Sequence, residues 1–275
     1  MEFDRLENDM DSKSNHEQRW ATEAAFFDAE EYSESPIDPL TIERYKRCSK
    51  PWLPAEYPYW TLGDVKGKRI LEIGCGDGGN AILMALKGGH VSGIDISPRA
   101  IEIAKKKALL HGVQDRTEFQ CLPFELYSAP EKFDIVIGFA ILHHLLPVLE
   151  DVLRQIQNFG GPETRYIFNE PVSLARWIRG LRLMLPIPVH GTPDERPLEP
   201  PEFAILSKCF PRQMDVHYFA CLLRGGFFLL KDGNYEQSNG VRQMAYDFLG
   251  RIDQLLLAKL RLGSLASSAV IEARI

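Results

Sequence analysis

Residues 68–98 have the sequence KRILEIGCGDGGNAILMALKGGHVSGIDISP, and this stretch decides the fold. A short apolar run is followed by a glycine-rich turn, a helical pattern and a second apolar run that ends at Asp95. This order predicts strand, turn, helix and strand, which together make a right-handed βαβ unit. Glycines suit the turn because they adopt positive φ and leave room for a ligand. The helix N-terminus beyond them offers unpaired N–H groups.

The pattern indicates a nucleoside cofactor. Gly74, Gly76 and Gly79 satisfy G-x-G-x-x-G, and Asp95 follows about 20 residues later, where a carboxylate can accept hydrogen bonds from two ribose hydroxyls. A dinucleotide such as NAD remains open on this pattern alone. Glu72 separates the possibilities, because a carboxylate two residues before the first glycine repels a pyrophosphate and favours a cation. We also expect Glu72 to accept hydrogen bonds from the amides of the turn.

Two stretches carry a resemblance to a known family. The segment LEIGCGDGG, with GIDIS after it, resembles the first two motifs of class I S-adenosylmethionine (SAM)-dependent methyltransferases. The run FDIVIGFAILHHL at 133–145 resembles the fourth-strand motif of the methyltransferase-11 type. The resemblance implies an α/β fold with a Rossmann-like, seven-stranded, mostly parallel sheet of order 3-2-1-4-5-7-6. In that fold the seventh strand is antiparallel and helices cover both faces. It also implies SAM as cofactor and S-adenosylhomocysteine as product.

The resemblance further implies which residues hold the cofactor. The methionine part is expected at Glu72 and the turn backbone, the ribose at Asp95 and the adenine beside Ile96. The full set expected to bind the cofactor is Tyr32, Glu72, Gly74, Cys75, Gly76, Gly78, Asp95, Ile96, Cys121, Leu122 and Phe139. Relatives usually carry an acid just after the third strand, but this chain has Cys121-Leu122-Pro123 there. Adenine recognition is therefore expected to use backbone and Leu122, or the displaced Glu125.

The catalytic candidates are His143, His144 and Glu170. An oxygen or carbon nucleophile needs a base with a suitable pKa that reaches the substrate proton, whereas an ionised acceptor needs none. Either histidine could instead stabilise the turn after the fourth strand. Glu170 follows the predicted fifth strand and could orient or deprotonate a substrate, or cap the next helix. No pattern of Cys, His or acidic residues predicts a metal site.

The composition of the 275 residues narrows the partners and the location. An apolar content of 45% permits a full core, and a net charge of −6 without a basic run disfavours nucleic acid. The five scattered cysteines include no C-x-x-C pair and indicate reduced thiols. No apolar run approaches about 18 residues, and the acidic N-terminus does not resemble a signal peptide. We therefore expect a cytoplasmic protein with a small-molecule substrate.

The chain divides into two predicted regions. Residues 1–66 form an acidic tail and a helical lid, since residues 1–35 contain eleven acidic and three basic side chains. A helix over 18–32 would place Trp20 and Phe27 on one side, with Tyr32 and Tyr45 able to reach the site. Residues 67–275 form the methyltransferase domain, in which 172–214 and 233–263 are substrate-side or interface insertions.

Two amphipathic segments could form contacts. Residues 174–185 combine Trp177 with three arginines and could touch anionic lipid or bind an acidic substrate, although such arginines more often form a solvated face. Apolar positions from Val241 to Leu260 predict a long amphipathic helix that could cover the pocket or form a homodimer. The leading interpretation is a methyltransferase acting on O, N or C of a small molecule. A non-catalytic SAM-binding scaffold and an NAD-dependent oxidoreductase remain the alternatives.

Overall fold

One seven-stranded sheet organises the molecule. The structure is a computed structural model that describes residues 17–29, 32–129, 131–175, 177–178, 180 and 196–275. The strands are Arg69–Ile73 (β1), His90–Asp95 (β2), Thr117–Cys121 (β3), Ile135–Phe139 (β4), Arg165–Pro171 (β5), Gln213–Phe219 (β6) and Ser268–Arg274 (β7). Their order is β3-β2-β1-β4-β5-β7-β6, and β7 runs antiparallel to both of its neighbours. The predicted fold class and strand order are confirmed.

The helices lie before and between these strands. They cover residues 17–28 (α1), Pro39–Arg47 (α2), Tyr57–Leu62 (α3), Gly79–Leu86 (α4), Pro98–Leu110 (α5), Leu149–Gln157 (α6), Pro200–Cys209 (α7) and Gly240–Gln254 (α8). The start of α5 shows how the sequence sets such a boundary. Ser97 is the N-cap and accepts a hydrogen bond from the Ala100 amide at 3.0 Å, while Pro98 occupies the first helical position.

Strand β5 extends further than the sequence suggests. The apolar run predicts a strand over Tyr166–Phe168 with Glu170 beyond its tip, but β5 continues to Pro171. The extension follows from pairing with β7, whose register joins Tyr166 to Ala273 and Pro171 to Ser268. Glu170 therefore lies inside a paired strand, which fixes its side chain between the sheet and the neighbouring turn.

Apolar side chains cover both faces of the sheet. Alternate residues of β1 point to opposite sides, so that Ile70 packs with α4 and α5 while Leu71 packs with α6 and α7. Tyr166 and Ile167 of β5 alternate in the same way. Burial on both faces is typical of parallel strands flanked by helices. The polar ends of these strands are consequently the places where the sheet can meet a ligand.

Candidate active site

The turn after β1 has the backbone geometry that the glycines predict. Gly74, Gly76 and Gly78 have φ values of 67°, 51° and 76°. A Cβ atom at Gly74 would lie 2.7 Å from Ile141, and one at Gly78 would lie 2.8 Å from Ala104. A Cβ at Gly76 would meet no protein atom within 4 Å. Two of these glycines therefore permit close packing, while Gly76 leaves open space on the cavity side.

Asp95 holds this turn from the end of β2. Its Oδ2 accepts a hydrogen bond from the Gly76 amide at 2.8 Å, and its Oδ1 accepts one from the Ser97 amide at 2.9 Å. Burial raises the pKa of Asp95, and these backbone hydrogen bonds act in the opposite direction. Asp95 thus lies in the cavity wall with a carboxylate that is already oriented by two amides.

Glu72 lies behind the turn and is fully buried. The expectation that it accepts hydrogen bonds from the turn amides is wrong. Neither carboxylate oxygen has a hydrogen bond of good geometry within the part of the chain that the structure describes. Burial raises the pKa of Glu72 to about 8, the charges of Asp95 and Asp77 add to the rise, and the nearby Asn80 amide partly opposes it. The turn amide at Gly76 is bound to Asp95 instead, because that carboxylate sits beside the loop and Glu72 sits beneath it.

A cavity of about 480 Å³ opens at the carboxyl ends of β1, β2, β3 and β4. The predicted cofactor residues in its wall are Tyr32, Gly74, Cys75, Gly76, Asp95, Ile96, Leu122 and Phe139. Gly78, Glu72 and Cys121 do not line it. Cys121 is exposed, and its Sγ lies 3.6 Å from the Ile96 carbonyl oxygen. Strand alternation explains this, since Leu122 faces the cavity and its neighbour faces away.

The three catalytic candidates have different positions. Glu170 is buried, and its Oε1 accepts hydrogen bonds from the Ile141 amide at 2.9 Å and the Leu142 amide at 2.8 Å. Its Oε2 lies 2.9 Å from Nδ1 of His143, which is also buried. Glu170 therefore caps the turn Leu142–His144. Neither Glu170 nor His143 lines the cavity. His144 is the one candidate of the three in the wall.

Helix α1 covers the cavity opposite the sheet. Trp20, Glu23 and Phe27 contribute to the wall, and the Phe27 ring meets the His144 ring edge-on at 5.3 Å between centroids. Arg19 forms an ion pair with Glu125, whose Oε1 also accepts a hydrogen bond from the Trp20 indole at 3.2 Å. Glu125, one of the two predicted partners of adenine, is thus engaged by α1.

A second contact holds the C-terminal end of α1. The Asp28 carboxylate accepts hydrogen bonds from the Ser97 hydroxyl and, at 3.2 Å, from the Arg99 amide. The start of α5 is therefore joined both to Asp95 in the cavity wall and to α1. Tyr45 does not reach the cavity wall, because its ring packs on Tyr59 at 4.6 Å between centroids.

Several wall residues were not identified from the sequence. They are Asp77, Gly79, Asn80, Pro123, Phe124, Ile141 and Leu145, together with Glu23 of α1. Pro123 follows β3 and Ile141 follows β4, so the rule that ligands bind beyond the carboxyl ends of parallel strands could have identified both. Asn80 had no such signal. Its Oδ1 accepts a hydrogen bond from Tyr59, which places its amide group near Glu72.

The chemistry of the wall fits a nucleoside with a cationic tail. Gly76 leaves space, Asp95 presents an oriented carboxylate, and Ile96 and Leu122 form apolar sides. The buried Glu72 carboxylate has no paired cation in the described residues, so a positive charge nearby would stabilise its ionised form. No three His, Cys, Asp or Glu side chains in the described ranges lie close enough together to hold a metal ion. In the same ranges, no helix has both the length and the apolar character needed to cross a bilayer.

Comparisons with known proteins identify the family. Residues 64–186 match a family model described as a methyltransferase domain. The ubiquinone biosynthesis O-methyltransferase of Aeromonas salmonicida (strain A449) is 31% identical over 185 residues, covering 60% of this chain and 76% of that protein. These matches favour neither the scaffold nor the NAD-dependent alternative.

Solved structures show the same fold at low sequence identity. Geranyl diphosphate C-methyltransferase from Streptomyces coelicolor A3(2) has a TM-score of 0.55 at 13% identity, covering 93% of this chain and 97% of that chain. The cyclase SpnF has a TM-score of 0.53 at 17% identity, covering 89% of this chain and 85% of that chain. Since a cyclase shares the fold, the fold alone does not determine the reaction, and the sequence relatives decide it. The chain belongs to the class I SAM-dependent methyltransferases and is an enzyme that transfers a methyl group from SAM to a small molecule.

Proposed function

We propose that the methyl acceptor is a hydroxyl group on an aromatic, amphiphilic small molecule, and that His144 accepts its proton. The observation that carries this proposal is the position of His144 in a cavity wall that also contains Phe27, Phe139, Ile141 and Leu145. An apolar wall suits an aromatic ring, and an imidazole suits proton removal near neutral pH. The O-methyltransferase named among the relatives supports oxygen as the acceptor atom.

The cofactor half is proposed to act through the residues that the sequence identified. SAM supplies an activated methyl group on a positively charged sulfur. Asp95 accepts hydrogen bonds from the ribose, and Ile96 and Leu122 enclose the adenine. The backbone at Gly74 and Gly76 allows the methionine part to approach closely. Glu72 acts from beneath the turn, where its negative charge favours the cationic tail.

The acceptor half is proposed to position the hydroxyl and exclude water. Holding the nucleophile about 3–3.5 Å from the methyl group can lower the barrier by roughly 7–11 kcal/mol. Glu170 and His143 support this geometry indirectly. They hold the turn Leu142–His144, and the His143 ring packs on the His144 ring at 4.0 Å between centroids.

The test is methyl transfer from labelled SAM to an alkyl-substituted dihydroxybenzoate, with kcat/KM followed across pH. We expect His144→Gln to lower kcat about 100-fold and to remove the acidic limb of the profile, as loss of a general base does. SAM affinity should stay within about twofold, because His144 lies on the acceptor side. The matched control is His90→Gln, an exposed histidine at the other end of the sheet.

Two results would contradict this assignment. An unchanged kcat and pH profile in His144→Gln would remove the proton-accepting role. Product formed only with amine acceptors would show that the acceptor atom is nitrogen and not oxygen.

Further parts of the proposal concern location and assembly. We propose that residues 1–66 act as the lid, with 172–214 and 233–263 inserted into the domain formed by 67–275. A cytoplasmic location is supported by the five cysteines, all of which are free thiols. Most of the segment 174–185 lies outside the described residues, so its contact with lipid stays a prediction, as does a homodimer. Trp177, which is described, is 70% exposed.

A further inference from the structure

Helix α8 is fixed to the protein by one of its sides. Tyr246 and Leu249 pack against a small cluster that contains Leu53 and Leu223. The buried Asp253 accepts hydrogen bonds from the Leu222 amide at 2.8 Å and the Leu223 amide at 2.9 Å. These contacts set the rotation of α8 about its axis, and therefore determine which side chains face solvent.

The solvent side of α8 is apolar. Val241, Met244 and Phe248 are 77%, 72% and 66% exposed, and Leu255, two turns beyond Phe248 and just past the end of α8, is 54% exposed. The spacing of three, four and seven residues places these side chains in one stripe. The sequence predicts a single apolar side for this helix, but the structure divides its apolar residues between the core and the solvent. An exposed apolar stripe of this kind marks an interaction surface.

The exposed charged side chains of the segment that carries the stripe have one sign. Residues 240–262 are all described, and their exposed charged side chains are Arg242, Arg251, Lys259 and Arg261. The two acids of the segment face the protein. Asp253 is buried, and Asp247 forms an ion pair with Lys50 at 2.7 Å. A chain with a net charge of −6 thus presents a locally cationic and apolar face.

We propose that this face, hereafter the α8 face, docks on an anionic lipid surface. Its apolar side chains would enter the boundary between headgroups and acyl chains, while the cations meet lipid phosphates. A second copy of the chain fits less well. Pairing two α8 faces about a two-fold axis brings eight cations together. A single stripe about 22 Å long also covers much less area than a stable interface, which buries about 1,600 Å².

The test is sedimentation of the whole protein with vesicles of phosphatidylcholine, with and without phosphatidylglycerol, in the absence of SAM. We expect binding to the anionic vesicles only. Met244→Ser with Phe248→Ser should abolish it. Arg242→Gln with Lys259→Gln should lower the partition coefficient about 30-fold, which is ~2 kcal/mol at ~1 kcal/mol per cation. The matched control is Leu109→Ser with Leu110→Ser, two exposed leucines on α5 near the opposite edge of the sheet.

The outcomes separate the possible occupants. Wild-type protein that stays in the supernatant with anionic vesicles overturns the proposal, as does a serine double variant that still sediments. Light scattering that shows a wild-type dimer and a monomeric serine double variant, without vesicle binding, would assign the face to a second copy. Circular dichroism verifies that each variant is folded. Because no SAM or acceptor is present, these results are independent of the proposed methyl acceptor.

Discussion

Two sides of the cavity are held in place by different means: the side proposed to bind the cofactor, at Gly74, Gly76 and Asp95 (the cofactor wall), and the side proposed to bind the acceptor, at Phe27, Ile141 and His144 (the acceptor wall). The cofactor wall is formed by backbone and by residues of β1 and β2, and Asp95 fixes the turn through two amides. The acceptor wall is completed by α1, which has no place in the sheet. The cofactor wall is therefore pre-organised by the sheet, whereas the acceptor wall is complete only when α1 is docked onto the domain.

The ion pair that docks α1 is partly exposed to solvent. The side chains of Arg19 and Glu125 are 18% and 20% exposed, and Asp28 at the end of α1 accepts hydrogen bonds from the Ser97 hydroxyl and the Arg99 amide at the start of α5. Ion pairs with access to solvent stabilise a structure by about 0–1 kcal/mol. Loss of the Arg19–Glu125 ion pair is therefore expected to cost little compared with any change in the glycine turn.

Replacement of Glu72 tests the cofactor wall and has the largest expected effect. The carboxyl has a pKa near 4.5 in the unfolded chain and about 8 in the fold, so between these values the folded protein retains a proton that the unfolded chain has lost. The free energy of unfolding contributed by this group therefore falls as pH rises from about 4.5 to 8. At about 1.36 kcal/mol per pH unit, the upper bound is about 5 kcal/mol.

Glu72→Gln removes this titration. We expect the stability of the variant relative to wild type to increase by several kcal/mol between pH 5 and pH 8.5, measured by urea unfolding without SAM. SAM binding should weaken in the same variant, because the negative charge that favours the cation is gone. Parallel stability profiles for the two proteins would show that Glu72 titrates normally and would remove this account of the buried carboxyl.

Asp95 gives the second test of the cofactor wall. Asp95→Ala removes the acceptor for the Gly76 and Ser97 amides as well as the proposed ribose contact. Charge-assisted hydrogen bonds are each worth about 1.5–3 kcal/mol, so SAM affinity measured by calorimetry should fall at least about 100-fold. Asp95→Asn keeps one oxygen acceptor, so its SAM affinity should fall only about tenfold. Equal affinity in wild type and Asp95→Ala would mean that the cofactor lies elsewhere.

The same difference between the walls explains what the sequence could predict. Glycines at fixed spacing, an acid about 20 residues later and apolar strands identify the βαβ unit, because these signals are local. The positions of Gly74 and Gly76 in the turn after β1, and of Asp95 at the end of β2 beside that turn, follow from these signals. For Glu72 the sequence predicts the position near the turn correctly and the hydrogen bonds to the turn amides wrongly, because a strand residue can face either the loop or the core.

The acceptor wall depends on contacts between distant parts of the chain. The sequence leaves open whether Glu170 meets a substrate or caps the next helix. The structure shows neither, because Glu170 lies in the part of β5 that pairs with β7 and caps the earlier turn Leu142–His144. Glu125 was considered for adenine, and only the docked position of Arg19 shows its link to α1. The exposed stripe on α8 could likewise not be predicted from the sequence, because periodicity indicates an amphipathic helix but does not show which side is buried.

The smallest expected effect comes from loosening α1. Glu125→Gln removes the ion pair with Arg19 but keeps an oxygen that can accept from the Trp20 indole. A loss of about 1 kcal/mol should raise the KM for the acceptor about fivefold, while SAM affinity measured by calorimetry changes less than twofold. The control is Glu43→Gln, which breaks an exposed ion pair with Arg47 on α2, remote from the cavity wall. If SAM affinity fell as much as the acceptor KM rose, α1 would belong to the cofactor wall as well, and the two walls would not be independently held.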